Sequence, residues 1–199
     1  MENRVRLILA SSSSGRRWLL NQFIKQFEVI ASSIEEPQSG FSNPKVMVQT
    51  IAWMKAVAVA QELSDGLIIA ADTIVWIDGQ PMLKPENRNH AKNMIISLQG
   101  RIHELWTGVV VWDRSRNIQI CWQERSLVRV APMCKNQIDA YLNERIWEGC
   151  SGAYSIEMNN DPVIQIVEGS KSNVVGLPIE SLKSVLVNLK VNLDFEETI

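Results

Sequence analysis

The sequence predicts an α/β fold with a mixed sheet flanked by helices, in a single domain that spans residues 1–199. Short apolar runs alternate with segments of helical periodicity in the first half, and one long hairpin follows in the second half. A hydrophobic content of 46% over 199 residues is enough to bury a sizeable core. No internal repeat or low-complexity linker marks a domain boundary.

Local patterns predict the individual elements, because apolar runs are bounded by Gly, Pro, Asn or Ser and helices open at Pro or a polar cap. The predicted strands are residues 5–10, 27–31, 67–71 continuing through 74–77, 102–112, 118–130 and 163–167. The predicted helices open near residue 15 and cover 44–63, 88–98, 136–144 and 178–189. Loops are predicted at residues 32–43, 149–154 and 169–176, and a hairpin turn at Asp78–Gly79.

Charge and cysteine content exclude several classes of function. Twenty basic against twenty-two acidic side chains leave a net charge of -2, so no global field holds a nucleic acid polymer or an anionic membrane. Cys121, Cys134 and Cys150 are too widely spaced for a disulfide framework or a zinc site, and we expect buried free thiols. No run approaches the roughly 18 apolar residues of a membrane span, which predicts a cytoplasmic location.

The serine-rich segment that follows the first strand is the first candidate site. A strand-to-helix loop offers unpaired backbone N–H groups, to which the hydroxyls of Ser11 and Ser13 and the guanidinium groups of Arg16 and Arg17 are added. These groups predict a phosphate cradle without the spacing of a P-loop. The alternative is that the serines only cap the helix and the arginines lie on its solvated face.

Two charged residues fall inside apolar patterns. Asp72 ends the apolar run 67–71. A carboxylate at a strand end that faces a cleft suits metal-assisted hydrolysis. The alternative is an ordinary aspartate in a turn. Lys55 shares a helical face with apolar residues, which aims its ammonium group inward unless it reaches past the edge of the core.

The remaining chemically interesting residues carry little information alone. Lys84 precedes a proline, and Glu36 lies in a polar loop. His90 and His103 are too few for a zinc site and are assigned structural or surface roles. Most tryptophans fall in apolar segments and are predicted to pack in the core; these include Trp53, Trp76 and Trp106.

Together these segments resemble the Maf family over nearly the whole chain. The matching segments are residues 9–17, Lys55–Ala56, 71–73, Lys84–Pro85, 100–103, 107–109, 151–157 and 172–178. The resemblance implies an elongated fold with two lobes around a central cleft, and frequent homodimers. It also implies hydrolysis of a nucleoside triphosphate between its α- and β-phosphates, with Mg²⁺ or Mn²⁺ as cofactor.

The resemblance also assigns roles to residues. Asp72 matches the proton acceptor, and Glu36 and Asp72 would present oxygens to the metal. The residues that would hold the triphosphate are Ser11, Ser13, Arg16, Arg17, Lys55 and Lys84.

Base preference stays open, because the specificity positions conflict. Thr73 resembles the branch that acts on dTTP and UTP, whereas Glu157 resembles the branch that acts on 7-methyl-GTP. Gly15 stands where the family commonly has a larger side chain, and Ser14, Leu83 and Cys150–Ser151 also depart from the family pattern. Two alternative functions remain: an inosine triphosphate pyrophosphatase type of activity, and a catalytically impaired nucleotide-binding regulator of cell division.

Overall fold

The computed structural model describes residues 5–156 and 163–193 and shows a seven-stranded mixed sheet flanked by helices. The strands are β1 (Leu7–Leu9), β2 (Glu28–Val29), β3 (Leu67–Ile77), β4 (Gln80–Met82), β5 (Ile102–Asp113), β6 (Ile118–Val130) and β7 (Ile164–Glu168). The helices are α1 (Ser14–Asn21), α2 (Pro44–Gln61), α3 (Arg88–Leu98), α4 (Lys135–Asn143), α5 (Lys171–Val175) and α6 (Ile179–Asn188). The predicted fold class is confirmed.

The strand order is β2-β1-β3-β5-β6-β7, and β4 pairs with β3 beside that path. β1 is parallel to both of its neighbours, and the other strand pairs are antiparallel. The chain leaves β1 through α1 to reach β2, and leaves β2 through α2 to reach β3 on the other side of β1. The carboxyl end of β1 is therefore a topological switch point, where open α/β sheets commonly bind ligands.

Both faces of the central strands are covered, which explains why β3 begins as an almost continuous apolar run. One face packs against the small residues Ala52 and Ala56 of α2. The opposite face packs against α1 and α6 through residues such as Leu20 and Leu186. A further core, around α3 and α4, covers the far ends of β3, β5 and β6.

Gly108 sets the distance between α2 and the sheet. It lies opposite Asp72 in the β3–β5 register. A Cβ atom added to Gly108 would lie 2.6 Å from both the carbonyl carbon and the carbonyl oxygen of Val48, in α2. The helix backbone thus rests directly on the strand, which only glycine permits.

A gap along one edge of β3 leaves room for a site. β1 pairs with residues 67–69 of β3 and β4 pairs with residues 75–77 along the same edge. Between them, residues 70–74 pair only with β5 within the described part of the chain. Side chains from both faces of β3 therefore reach one opening beyond the end of β1.

Three local predictions are wrong. Residues 169–176 are not all loop, because α5 forms there, capped by the hydroxyl of Ser170 and ended by Gly176 at φ 113°. Trp53 is 45% exposed, whereas Trp76 and Trp106 are buried as predicted. Cys121, Cys134 and Cys150 form no disulfide, but they are exposed or half-buried and not buried. No helix within residues 5–156 and 163–193 is long and apolar enough to cross a membrane.

Replacing Gly108 by alanine tests the close approach of α2. The new methyl group would clash with the backbone of α2, which cannot move aside as a side chain can. We therefore expect Gly108→Ala to lower the free energy of unfolding by about 1–3 kcal/mol. Urea unfolding measures this change. Val46→Ala, at an exposed position of the same helix, serves as the control and should unfold like the native protein. Equal stability of Gly108→Ala and the native protein would contradict the account.

Candidate active site

The gap in the edge of β3 opens into a cavity of about 440 Å³, which we call the polar cavity. Its walls come from the loop between β1 and α1, from α2, from the middle of β3 and from the turn after α4. The predicted site residues that line it are Ser11, Ser13, Arg16, Glu36, Lys55, Asp72, Thr73 and Lys84. Residues far apart in the sequence therefore meet at the switch point.

At the floor of the polar cavity, one lysine lies between two carboxylates. Lys55 Nζ is 2.7 Å from Asp72 Oδ1 and 2.9 Å from Glu36 Oε1. The side chains of Lys55 and Asp72 are each 9% exposed, and that of Glu36 is 37% exposed. The inward orientation predicted for Lys55 is confirmed. Two carboxylates and one ammonium group leave this cluster with a net negative charge.

The strand continues past Asp72 as predicted, so Asp72 is not the strand end that was also expected. It lies in the interior of the eleven-residue strand β3, not at a strand end. Its carboxylate faces α2, because alternate residues of a strand point to opposite faces. The next residue, Thr73, lies on the face that packs near α1 and α5, and both side chains reach the cavity through the gap.

Glu36 keeps its charge in spite of partial burial. Burial raises the pKa of Glu36. The hydrogen bond from Lys55 and the charges of Lys55, Lys84 and Arg16 lower this pKa by more than burial raises it, so the net shift is downward. Burial lowers the pKa of Arg16, and the charges of Asp72 and Glu36 act against that shift. The cavity therefore presents ionised groups of both signs at neutral pH.

Arg16 is buried and clamps three segments together. It donates from Nε to the Gly176 carbonyl at 2.8 Å, and from Nη1 to Ser11 Oγ at 3.2 Å. Its Nη2 donates to Thr73 Oγ1 at 3.0 Å. A guanidinium group has five N–H donors, so these three bonds leave two for a ligand in the cavity.

The serines combine the two roles that the sequence left as alternatives. Ser13 is the N-cap of α1, and its hydroxyl accepts from the Arg16 N–H at 3.3 Å. Ser11 Oγ accepts from the Ser13 N–H at 3.2 Å. Both residues also line the polar cavity. The loop thus caps the helix while it lines a polar recess.

Two of the predicted residues that the structure describes are not brought into this cavity. Arg17 is exposed and borders a separate surface depression beside Trp18. Gly15 does not line the cavity; a Cβ there would approach Val175 Cγ1 at 3.0 Å. Glu157 lies outside the described residues. Thr73 is present, but its hydroxyl is already bonded to Arg16 and lies 3.0 Å from the hydroxyl of Thr107.

Sequence reasoning missed Ser151 and Tyr154 as cavity residues. The Ser151 hydroxyl accepts from the Val75 N–H at 2.8 Å and donates to the Met82 carbonyl, so it ties β3 to the end of β4. Tyr154 is buried, with its hydroxyl 2.7 Å from His103 Nε2. The resemblance covered both residues, but only the fold shows that they face the same cavity.

His103 has the structural role expected for it. Burial, followed by the charge of Arg101, lowers the pKa of His103 from 6.5 to about 4. Burial also raises the pKa of Tyr154 well above its usual value of 10. The pair is therefore uncharged at neutral pH and supports the wall of the cavity.

Glu36 and Asp72 fit a hard divalent cation. Carboxylate oxygens are the ligands that Mg²⁺ and Mn²⁺ prefer, and Mg²⁺ is commonly held by one or two carboxylates together with substrate phosphates. Within residues 5–156 and 163–193 no cluster of three or more His, Cys, Asp or Glu is present.

The chain is similar to known proteins over most of its length. A family model described as Maf-like protein matches residues 6–189. A protein of Bacillus cereus named dTTP/UTP pyrophosphatase is 33% identical, covering 96% of this chain and 94% of its own. A protein of the same name from Pelotomaculum thermopropionicum is 36% identical, and the match covers 94% of this chain and 98% of that protein. One from Rhodopirellula baltica is 35% identical, and the match covers 94% of this chain and 84% of that protein.

A solved structure with a similar fold is that of the Staphylococcus aureus Ham1 protein. Its TM-score is 0.56 at 14% sequence identity, with 92% of this chain and 99% of that chain covered. At that identity the likeness shows a shared fold. The family model and the relatives above 30% identity each match most of the chain. The chain therefore belongs to the Maf-like protein family.

Proposed function

We propose that this chain is a nucleoside triphosphate pyrophosphatase, which uses water to cut a nucleoside triphosphate into a nucleoside monophosphate and pyrophosphate. The observation that carries the proposal is Lys55, held 2.7 Å from Asp72 and 2.9 Å from Glu36 in a cavity otherwise rich in hydroxyls and cations. dTTP and UTP are the first candidate substrates, because the relatives carry those names. 7-Methyl-GTP is the second candidate, on account of Glu157.

Asp72 is the general base in this proposal. Its carboxylate accepts a proton from the attacking water, and the buried ion pair with Lys55 fixes the position of its oxygens. Lys55, Lys84 and Arg16 offset the negative charge that the transferring phosphoryl group carries as the bond breaks. Lys84 is exposed at the mouth of the cavity, so its flexible side chain is free to move onto a phosphate.

Ser11, Ser13 and the start of α1 bind the outer phosphates. Their hydroxyls and the free N–H groups of the helix terminus supply hydrogen bonds, and the helix dipole favours negative charge. Glu36 and Asp72 would hold Mg²⁺ or Mn²⁺ together with phosphate oxygens. When bound there, the cation would neutralise phosphate charge.

The inosine triphosphate pyrophosphatase type of activity, which the sequence left open, remains the alternative activity. Preference for ITP over dTTP, UTP and 7-methyl-GTP would identify it. Tight nucleotide binding without turnover at saturating Mg²⁺ or Mn²⁺ would identify a regulator of cell division. We also propose a cytoplasmic homodimer that acts on free nucleotides.

Replacing Asp72 by asparagine tests the general base. We expect Asp72→Asn to lower kcat by about 10²–10⁴-fold, because the amide keeps the shape of the side chain and cannot take the proton. Release of pyrophosphate from dTTP, UTP, CTP, 7-methyl-GTP and ITP, with Mg²⁺ or Mn²⁺, is the measurement.

Asp113→Asn is the matched control. Asp113 is also buried and is paired with Arg116 at 2.6 Å, but it does not line the polar cavity. Its turnover should stay near the native value once folding has been verified by circular dichroism. Full activity of Asp72→Asn would remove Asp72 from the mechanism.

Lysine substitutions of the two adjacent arginines test the triphosphate site. Arg16→Lys loses the three-way clamp and the planar fork, so we expect pyrophosphate to bind about 10-fold more weakly. Arg17→Lys should leave pyrophosphate affinity unchanged, because Arg17 lies outside the cavity. Calorimetric titration with pyrophosphate compares them. If Arg17→Lys weakened pyrophosphate binding as much as Arg16→Lys does, Arg17 would hold the triphosphate, as the sequence predicts.

A further inference from the structure

A row of hydrogen bonds leads from the polar cavity into the core behind it. Arg16 Nη2 donates to Thr73 Oγ1 at 3.0 Å, and Thr73 Oγ1 lies 3.0 Å from Thr107 Oγ1. Thr107 Oγ1 in turn donates to the Asn173 carbonyl, in α5, at 3.1 Å. Thr107 is fully buried and does not line the polar cavity, so its hydroxyl lies one layer behind the cavity wall.

The number of protons fixes the direction of these bonds. A hydroxyl group has one proton to donate, and a carbonyl oxygen can only accept. Because Thr107 gives its proton to the Asn173 carbonyl, the bond between the two hydroxyls runs from Thr73 to Thr107. The Thr73 proton is thereby turned away from Arg16, and a lone pair of Thr73 Oγ1 faces the guanidinium group. Removal of the Thr107 hydroxyl would release the Thr73 proton to other orientations.

The far end of the row is anchored in α5. The Asn173 side chain is fully buried, and its amide donates to Ser126 Oγ, in β6, at 2.9 Å. The end of the same helix also contacts Arg16 directly, because the Gly176 carbonyl accepts from Arg16 Nε at 2.8 Å. The guanidinium group is therefore held from two points of α5, once directly and once through two hydroxyls.

These bonds control where the remaining donors of Arg16 point. A guanidinium group is planar, so a bond that fixes one N–H of a terminal nitrogen also fixes the direction of the other. On Nη2, one N–H is bonded to Thr73 Oγ1, and the second remains for a ligand. The direction of this second N–H therefore depends on how firmly Thr73 Oγ1 is held.

We propose that Thr107 is a positioning residue for Arg16. Through Thr73, the Thr107 hydroxyl holds the guanidinium group in the plane that presents its remaining N–H groups to a phosphate oxygen in the polar cavity. The identity of that anion rests on the proposed pyrophosphatase function. Thr107 itself does not contact the substrate, and acts on it only through two successive hydrogen bonds.

Two substitutions separate the hydroxyl of Thr107 from its shape. Thr107→Val keeps the branched side chain without the hydroxyl, and we expect pyrophosphate to bind about fivefold more weakly, as for the loss of one net hydrogen bond. Thr107→Ser keeps the hydroxyl, and its affinity should stay within about twofold of the native value. Calorimetric titration with pyrophosphate compares the variants after circular dichroism has verified their folding.

Thr50→Val is the matched control. Thr50 is half-buried in α2 and does not line the polar cavity, so loss of its hydroxyl should leave pyrophosphate affinity at the native value. Native affinity in Thr107→Val, or equal losses in Thr107→Val and Thr107→Ser, would overturn the proposal.

Combination with Arg16→Lys distinguishes positioning from a general loss of structure. If Thr107 acts through Arg16, adding Thr107→Val to Arg16→Lys weakens pyrophosphate binding by less than about a further twofold, because the group that Thr107 positions is already gone. A further loss as large as the loss in Thr107→Val alone would contradict a role through Arg16.

A measurement that needs no turnover separates this proposal from the proposed function. Failure of the native protein to release pyrophosphate would overturn the proposed function, and NMR of the Arg16 side-chain N–H signals would then decide the role of Thr107. These signals are identified by their loss in Arg16→Lys. We expect their exchange with water to become about fivefold faster in Thr107→Val and to stay unchanged in Thr107→Ser. Unchanged exchange in Thr107→Val would overturn the positioning role.

Discussion

The buried ammonium group of Lys55 is the constraint on which the rest of the site depends. Taking a charge out of water costs several kcal/mol, and removal of one partner from a buried pair leaves an uncompensated charge. Lys55 is compensated because Asp72 and Glu36 approach it from two different elements. The distance between helix α2 and strands β3 and β5 is therefore fixed. Gly108 permits this distance because it lets the helix backbone contact the strand.

Unequal strand lengths place this charged cluster in contact with solvent. β1 has three residues and β3 has eleven, so β3 runs past the end of its neighbour before β4 pairs with it. In a fully paired sheet Asp72 would be sealed beneath α2. The gap instead gives the carboxylate access to the polar cavity. Arg16 closes the polar side by joining Ser11, Thr73 and Gly176.

Local sequence signals predicted elements well and orientations less well. Helix α3 has the predicted bounds 88–98, and the Asp78–Gly79 turn joins β3 to β4. Asp72 follows an apolar run and so resembles a strand end, but β3 continues past it to Ile77 and pairs there with β5. Arg16 and Arg17 are indistinguishable by type, and only packing of α1 decides which points inward.

The identity of the products tests the central claim most directly. Incubation of the native protein with dTTP or UTP and Mg²⁺ or Mn²⁺, followed by phosphorus NMR, distinguishes the two phosphoanhydride bonds. The account predicts that the nucleoside monophosphate and pyrophosphate appear together in equal amounts. Accumulation of the nucleoside diphosphate and inorganic phosphate, or no consumption of either nucleotide, would contradict it.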